Sequence, residues 1–160
     1  MRLSTRAHYA VRAVLDLALH SNHGPVAIQE IARRQAISPS YLEQLFVKLR
    51  RGNLIRSIRG SRGGYQLARP AEQVHLADII QLVDEPLQPV ACLDGQKDCD
   101  LADRCFTQNI WRQLGNHIHS FLSSITLDQL LQEMRQNGVI AHRVDEPLME
   151  DRKEPNNALQ

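Results

Sequence analysis

Apolar residues at Tyr9, Ala10, Ala13, Val14, Leu17 and Ala18 recur at the three- and four-residue spacing that lines one side of an α-helix. Ser4 or Thr5 is the expected cap, and the helix ends before Gly24 and Pro25. VAIQEIARRQ fits a second, short helix. In ISPSYLEQLFVKLRRGN, Ser38 is a natural N-cap, Pro39 suits the first helical turn, and Leu42, Leu45, Phe46 and Leu49 form one buried stripe. Gly52 closes that helix. Two short helices joined by a few residues, the second exposing Ser40, Tyr41, Glu43, Gln44, Lys48 and Arg51, predict a helix-turn-helix with a polar recognition face.

The pattern then changes period. In LIRSIRGSRGGYQLA two strand-like runs flank a glycine-rich tip, which predicts a β-hairpin with Arg59 and Arg62 at the tip, the arrangement of a wing. No Gly-Lys-Ser/Thr follows and no helix opens there, so a nucleotide-phosphate loop is excluded. A further helix is expected over LADIIQLVDE, ended by Pro86 and Pro89. Beyond a cysteine-bearing loop, Phe106, Ile110, Trp111, Leu114, Ile118, Phe121, Leu122 and Ile125 mark a long amphipathic helix starting near Arg104, despite Gly115 in its middle. Thr126 and Gln129 have capping-box spacing before LDQLLQEMRQ.

The expected fold is therefore mainly α with a small β-hairpin. Residues 1–84 form a winged helix-turn-helix, 85–105 the cysteine loop, and 106–136 helices for dimerisation. Residues 137–160, polar and aperiodic, form a disordered tail.

Charge adds a direction to this layout. Residues 1–70 carry twelve Lys/Arg against Asp16, Glu30 and Glu43, while residues 71–160 carry seven against fifteen acidic residues, although the whole chain is nearly neutral. Eleven of the twelve are arginines, whose planar fork suits phosphate and guanine recognition. A basic half of this kind is the footprint of double-stranded DNA binding. Gln44 is able to read adenine in two bonds, Glu43 is able to accept from cytosine N4 and is expected to penalise wrong sequences, and arginine at a wing tip suits a narrow minor groove. At 160 residues the chain holds one compact core. With neither a secretory h-region nor a stretch approaching the ~20 apolar residues of a membrane helix, it is expected in the cytoplasm, without a membrane partner.

All three cysteines lie within CLDGQKDCDLADRC, at Cys92, Cys99 and Cys105. An odd number of clustered thiols in a reducing compartment points to metal ligation or redox sensing before structural disulfides. Three thiolates are a strong signal for an iron–sulfur cluster. A structural zinc site is the alternative, although its cysteines are usually two to four residues apart, closer than here. A thiol-redox regulator without a cluster also stays open. No motif places a histidine or acid to activate a nucleophilic cysteine, so an enzyme is not expected.

MRLSTRAHYAVRAVLDLAL, SYLEQLFVKLRRGNLIRSIRGSRGGYQLA and the three-cysteine loop followed by NIW together resemble the IscR-like winged-helix iron–sulfur regulators, a family that includes NsrR-like nitric-oxide sensors. The resemblance spans roughly residues 1–136. It implies a homodimeric transcription factor on a roughly palindromic operator, with a cluster (2Fe–2S preferred over 4Fe–4S) setting DNA affinity or site choice. Ser38, Ser40, Tyr41, Glu43 and Gln44 would then read DNA, with Arg59 and Arg62 on the wing, and Cys92, Cys99 and Cys105 would hold the cluster. Two departures stand out. Gln108 occupies the place where the family has a histidine ligand, three residues after the last cysteine, and the first cysteine gap is one residue longer. The fourth ligand is open between Gln108, a poor iron ligand, and His8 of the opposite subunit, at the place where NsrR-like proteins offer a carboxylate. His8 is otherwise a surface histidine in a basic helix. His117 and His119 lie at least about 18 Å along their helix from Cys105, too far to share its site.

Overall fold

The computed structural model describes residues 4–83, 89–90, 93 and 105–137. Cys92, Cys99 and the expected tail from residue 138 onward lie outside the described residues. Helix α1 runs Thr5–His20 with the Ser4 hydroxyl accepting from the Ala7 backbone N–H at 3.2 Å. Its buried face is built largely of small residues, Ala7, Ala10, Ala13 and Ala18, with Val14 and Leu17. Small side chains let neighbouring helices approach closely, and α1 packs against the helices at Ile28–Gln35, Pro39–Arg51, Leu76–Val83 and Leu127–Gln136.

Helix α2 (Ile28–Gln35) ends in a left-handed residue, Ala36, at φ 52°. The chain turns there, Ile37 is buried, and Ser38 caps α3 (Pro39–Arg51) by accepting from the Tyr41 N–H at 3.3 Å. Leu42, Leu45, Phe46 and Leu49 are buried along α3 as the spacing predicts. Strands β1 (Ile55–Ile58) and β2 (Gly64–Leu67) pair antiparallel with Ile55 opposite Leu67. Tyr65 of β2 also exchanges two backbone hydrogen bonds with Val26, at 2.9 and 2.8 Å, which ties the wing to the segment before α2. A Cβ at Gly64 would collide with the Val26 carbonyl, so glycine there permits this approach. Gly60, at φ 126°, makes the turn.

Helix α4 (Leu76–Val83) sits under α1 and α3. The long helix α5 (Gln108–Ser124) begins a turn later than the spacing predicts, because Cys105 to Thr107 form a separate turn closed by the Gln108 N–H on the Cys105 carbonyl. Thr126 and Gln129 make the expected capping box at the start of α6 (Leu127–Gln136). That helix folds back: Leu127 and Leu131 join the main core with α1 to α4, and the Leu127 N–H bonds the Val74 carbonyl at 2.8 Å. Burying each large aliphatic of this core contributes about 1.5–3 kcal/mol. A second, smaller cluster of Ala7, Ala77, Ile80 and Leu122 anchors only the C-terminal part of α5.

Candidate nucleic-acid interface and cysteine site

At 3.6 residues per turn, Ser40, Gln44 and Arg51 fall on the side of α3 opposite its buried stripe, and all three are exposed. Glu43 is exposed at the edge of that face and makes no ion pair among the described residues. Ser38 is exposed at the start of the helix. Tyr41 is half-buried, its ring edge-on to Tyr9 of α1 at 6.0 Å between centroids. Lys48 is turned away to donate to the Val83 carbonyl at 3.0 Å, where its charge complements the C-terminal end of α4. Val47 is exposed on the same face as Gln44, and the sequence pattern offered a signal for it, an apolar residue out of register with the buried stripe.

The arginines divide into two groups. Arg34 grips Asp16 through Nε and Nη2, at 3.0 and 2.7 Å, with Gln35 Nε2 on the other carboxylate oxygen at 2.8 Å. Arg12 donates to the Gln35 carbonyl at 2.6 Å, and Arg69 pairs with Asp78. These three hold the fold together. Arg50, Arg51, Arg56, Arg59 and Arg62, on α3 and the wing, are exposed. Arg59 follows β1 directly and Arg62 sits in the turn beyond Gly60, so both project from the hairpin end. Exposed arginines thus stand on one helix and at one hairpin tip, and a guanidinium suits contact with phosphate.

The cysteine region is represented by Cys105, which is half-exposed. Its thiol is held below the ordinary value because the Thr107 hydroxyl, 3.4 Å from the sulfur, and then the Thr107 backbone N–H stabilise the thiolate. A readily formed thiolate fits a metal ligand. Gln108 is the first residue of α5, half-buried and three residues on. The described residues contain no group of three His, Cys, Asp or Glu that meets around one point, two of the three cysteines being outside them.

His8 is far from Cys105 within one chain. It is exposed on the rim of an apolar recess of about 330 Å³ lined also by Ala7, Val11, Leu76, Ile80 and Leu122. Leu122 lies near the C-terminal end of α5, whereas Gln108 begins it, about 21 Å away along the helix axis. His8 and Cys105 of one chain thus belong to opposite ends of α5.

Between those ends α5 carries an uncovered apolar surface. Ile110, Trp111, Leu114 and Phe121 are exposed, as is Phe106 just before the helix. No helix among the described residues is long and apolar enough to cross a membrane.

Comparison with known proteins agrees with this layout. Residues 3–133 match the Rrf2 family model, described as an iron-dependent transcriptional regulator. The chain is 43% identical over 160 residues to the HTH-type transcriptional regulator IscR of Xenorhabdus nematophila, an alignment covering 100% of this chain and 94% of that protein. Among solved structures, T. potens IscR is similar at a TM-score of 0.70 and 36% identity, covering 86% of this chain and 90% of that one. CymR, the global cysteine regulator of B. subtilis, is similar at a TM-score of 0.68 and 32% identity, covering 83% of this chain and 98% of its own.

Proposed function

The chain belongs to the Rrf2 family of iron-dependent transcriptional regulators, and from that premise we propose that it acts in the cytoplasm as a homodimer on a roughly palindromic operator, with an iron–sulfur cluster governing its DNA affinity or choice of site. It is a regulator and not an enzyme. The observation that carries the proposal is the pairing of an exposed cationic reading face with an uncovered apolar helix whose two ends bear Cys105 and the His8 recess.

Two α5 helices related by a twofold axis cover each other's apolar stripe, as isologous interfaces do. If they run antiparallel, the Gln108 end of one lies beside the Ser124 end of the other. Cys105 of each subunit is then brought toward His8 of the partner subunit, although the two are remote within one chain. Cys92, Cys99 and Cys105 would hold the cluster, with His8 from the partner preferred over Gln108 as the fourth ligand, since imidazole binds iron better than a neutral amide. A 2Fe–2S cluster is preferred over 4Fe–4S. When bound, such a cluster supplies one-electron redox chemistry and sensitivity to oxidants.

The chain's own contacts supply the route to DNA. His8 precedes Tyr9, whose ring meets Tyr41 at the start of α3, and Asp16 of the same helix holds Arg34 and Gln35 of α2. A shift of α1 therefore moves both halves of the helix-turn-helix. Gln44 and Ser40 contact bases, Glu43 rejects wrong ones, and Arg59 and Arg62 follow the flanking groove.

Iron and sulfide content, with visible absorption and paramagnetic resonance of anaerobically purified protein, tests the cluster. Equal iron and acid-labile sulfide is expected; a colourless protein retaining zinc overturns it. A second reading, a thiol-redox regulator without a cluster, is favoured by the half-exposed Cys105, whose thiol is held below its ordinary pKa. It predicts iron-free protein whose DNA binding changes with reversible oxidation of Cys105.

A further inference from the structure

Six large apolar side chains are exposed among the described residues, and five of them lie on α5 or in the turn leading into it, where the proposed dimer covers them. Val47 is the sixth and stands apart, on α3 and 37% exposed. Its place on that helix is specific. With the helical repeat setting about 100° per residue, Ser40, Gln44, Val47 and Arg51 fall within an arc of about 60° centred opposite Leu42, Leu45, Phe46 and Leu49. Val47 therefore lies on the reading face between Gln44 and Glu43 around the helix, and one turn further along it. A solitary exposed apolar residue needs no explanation on most surfaces. Here it occupies one of the few positions able to touch a base edge, on a helix where an alanine, lysine or glutamine would favour the helical conformation more.

What valine offers at that position is a rigid apolar contact. A β-branched side chain on a helix holds one dominant χ1 rotamer, so its two methyl groups are presented in a fixed place with little ordering cost on binding. Of the four bases, only thymine shows a methyl group in the major groove. Cytosine in the same place would have its N4 amine stripped of water against valine without a replacement hydrogen bond.

We propose that Val47 is a specificity residue that reads the 5-methyl group of a thymine in each half of the operator, within one or two base steps of the pair contacted by Gln44. The spacing follows from Val47 lying about 4.5–6 Å along the helix axis from Gln44 and Glu43, against about 3.4 Å per base step. This assignment rests on α3 lying in the major groove.

Replacing thymine by uracil deletes only that methyl group. The test takes a duplex selected by the full-length protein, substitutes each thymine of a half-site by uracil in turn, and measures binding by fluorescence anisotropy. Wild-type protein is expected to lose about fourfold in affinity at one thymine per half-site, the worth of one buried methyl. Val47→Ser is expected to bind the thymine and uracil duplexes equally, and Val47→Ile to regain the discrimination. Uracil substitutions that do nothing at every position, or that weaken wild type and Val47→Ser alike, overturn the assignment while leaving sequence-specific binding intact. A protein that selects no duplex from a random pool overturns the DNA-reading function and this assignment with it.

Discussion

Arg59, just past β1, and Glu43, on α3, are exposed charges of opposite sign, and their substitution is expected to separate affinity from specificity. Arg59→Ala is expected to weaken operator binding by about 1–3 kcal/mol and to flatten its salt dependence, read from binding titrations at several salt concentrations. Unchanged affinity and slope would remove the wing from the interface. Glu43→Ala is expected to widen the set of duplexes recovered from a random pool, because a carboxylate aimed at a polyanion discriminates more than it attracts. A uniform loss across all sequences would contradict that role. For Cys105 the expectation concerns ionisation. The Thr107 hydroxyl stabilises the thiolate, so Thr107→Val should raise the thiol pKa toward its ordinary value. In a cluster-free chain retaining only Cys105, ultraviolet absorbance of the thiolate should then develop at higher pH than in the parent. An unshifted titration would show that the hydroxyl does not reach the thiolate.

At the scale of elements, the contact with most leverage joins α1 to α2. Asp16 is 5% exposed and accepts from Arg34 and Gln35, so Asp16→Ala strands a partly buried guanidinium and should destabilise the fold by about 2–4 kcal/mol in denaturant unfolding. A loss below about 0.5 kcal/mol would mean that the network is replaceable by water. Leu114→Asp, on the open face of α5, should instead leave the chain folded by circular dichroism and dissociate the proposed dimer in sedimentation. The periodic apolar pattern made α1 and α3 legible in the sequence because each buries one face at the helical repeat, α5 was legible from the same repeat on a face left largely uncovered, and the hairpin was legible from its glycine-rich tip. The Asp16 network was not legible, since its partners are 18 and 19 residues apart and no local period joins them. Nor was the division of the arginines, since Arg12, Arg34 and Arg69 look the same in sequence as those of the wing, and only packing commits them to Gln35, Asp16 and Asp78. The return of α6 to the main core likewise accompanies the bridge between His75 and Thr126, a contact between residues that have all of α4 and all of α5 between them in the sequence.

For the whole molecule, the proposed site needs two chains to share what one chain keeps apart. His8 and Cys105 sit at opposite ends of α5, so a site containing both needs a partner subunit. A mixed dimer of His8→Ala and Cys99→Ala subunits separates the cases. If ligation crosses the dimer, one site keeps all four ligands and the other lacks two; if His8 belongs to its own chain's site, each site lacks one. Half the normal iron, bound with normal spectrum and stability, is expected. Whether the proposed iron governs DNA binding is read by selection from a random duplex pool with the anaerobically purified protein, before and after its iron is removed. The two forms are expected to differ in the sequences they enrich or in affinity for the same palindrome by tenfold or more, a gap of about 1.4 kcal/mol. Identical enriched sequences bound with identical affinity would contradict it.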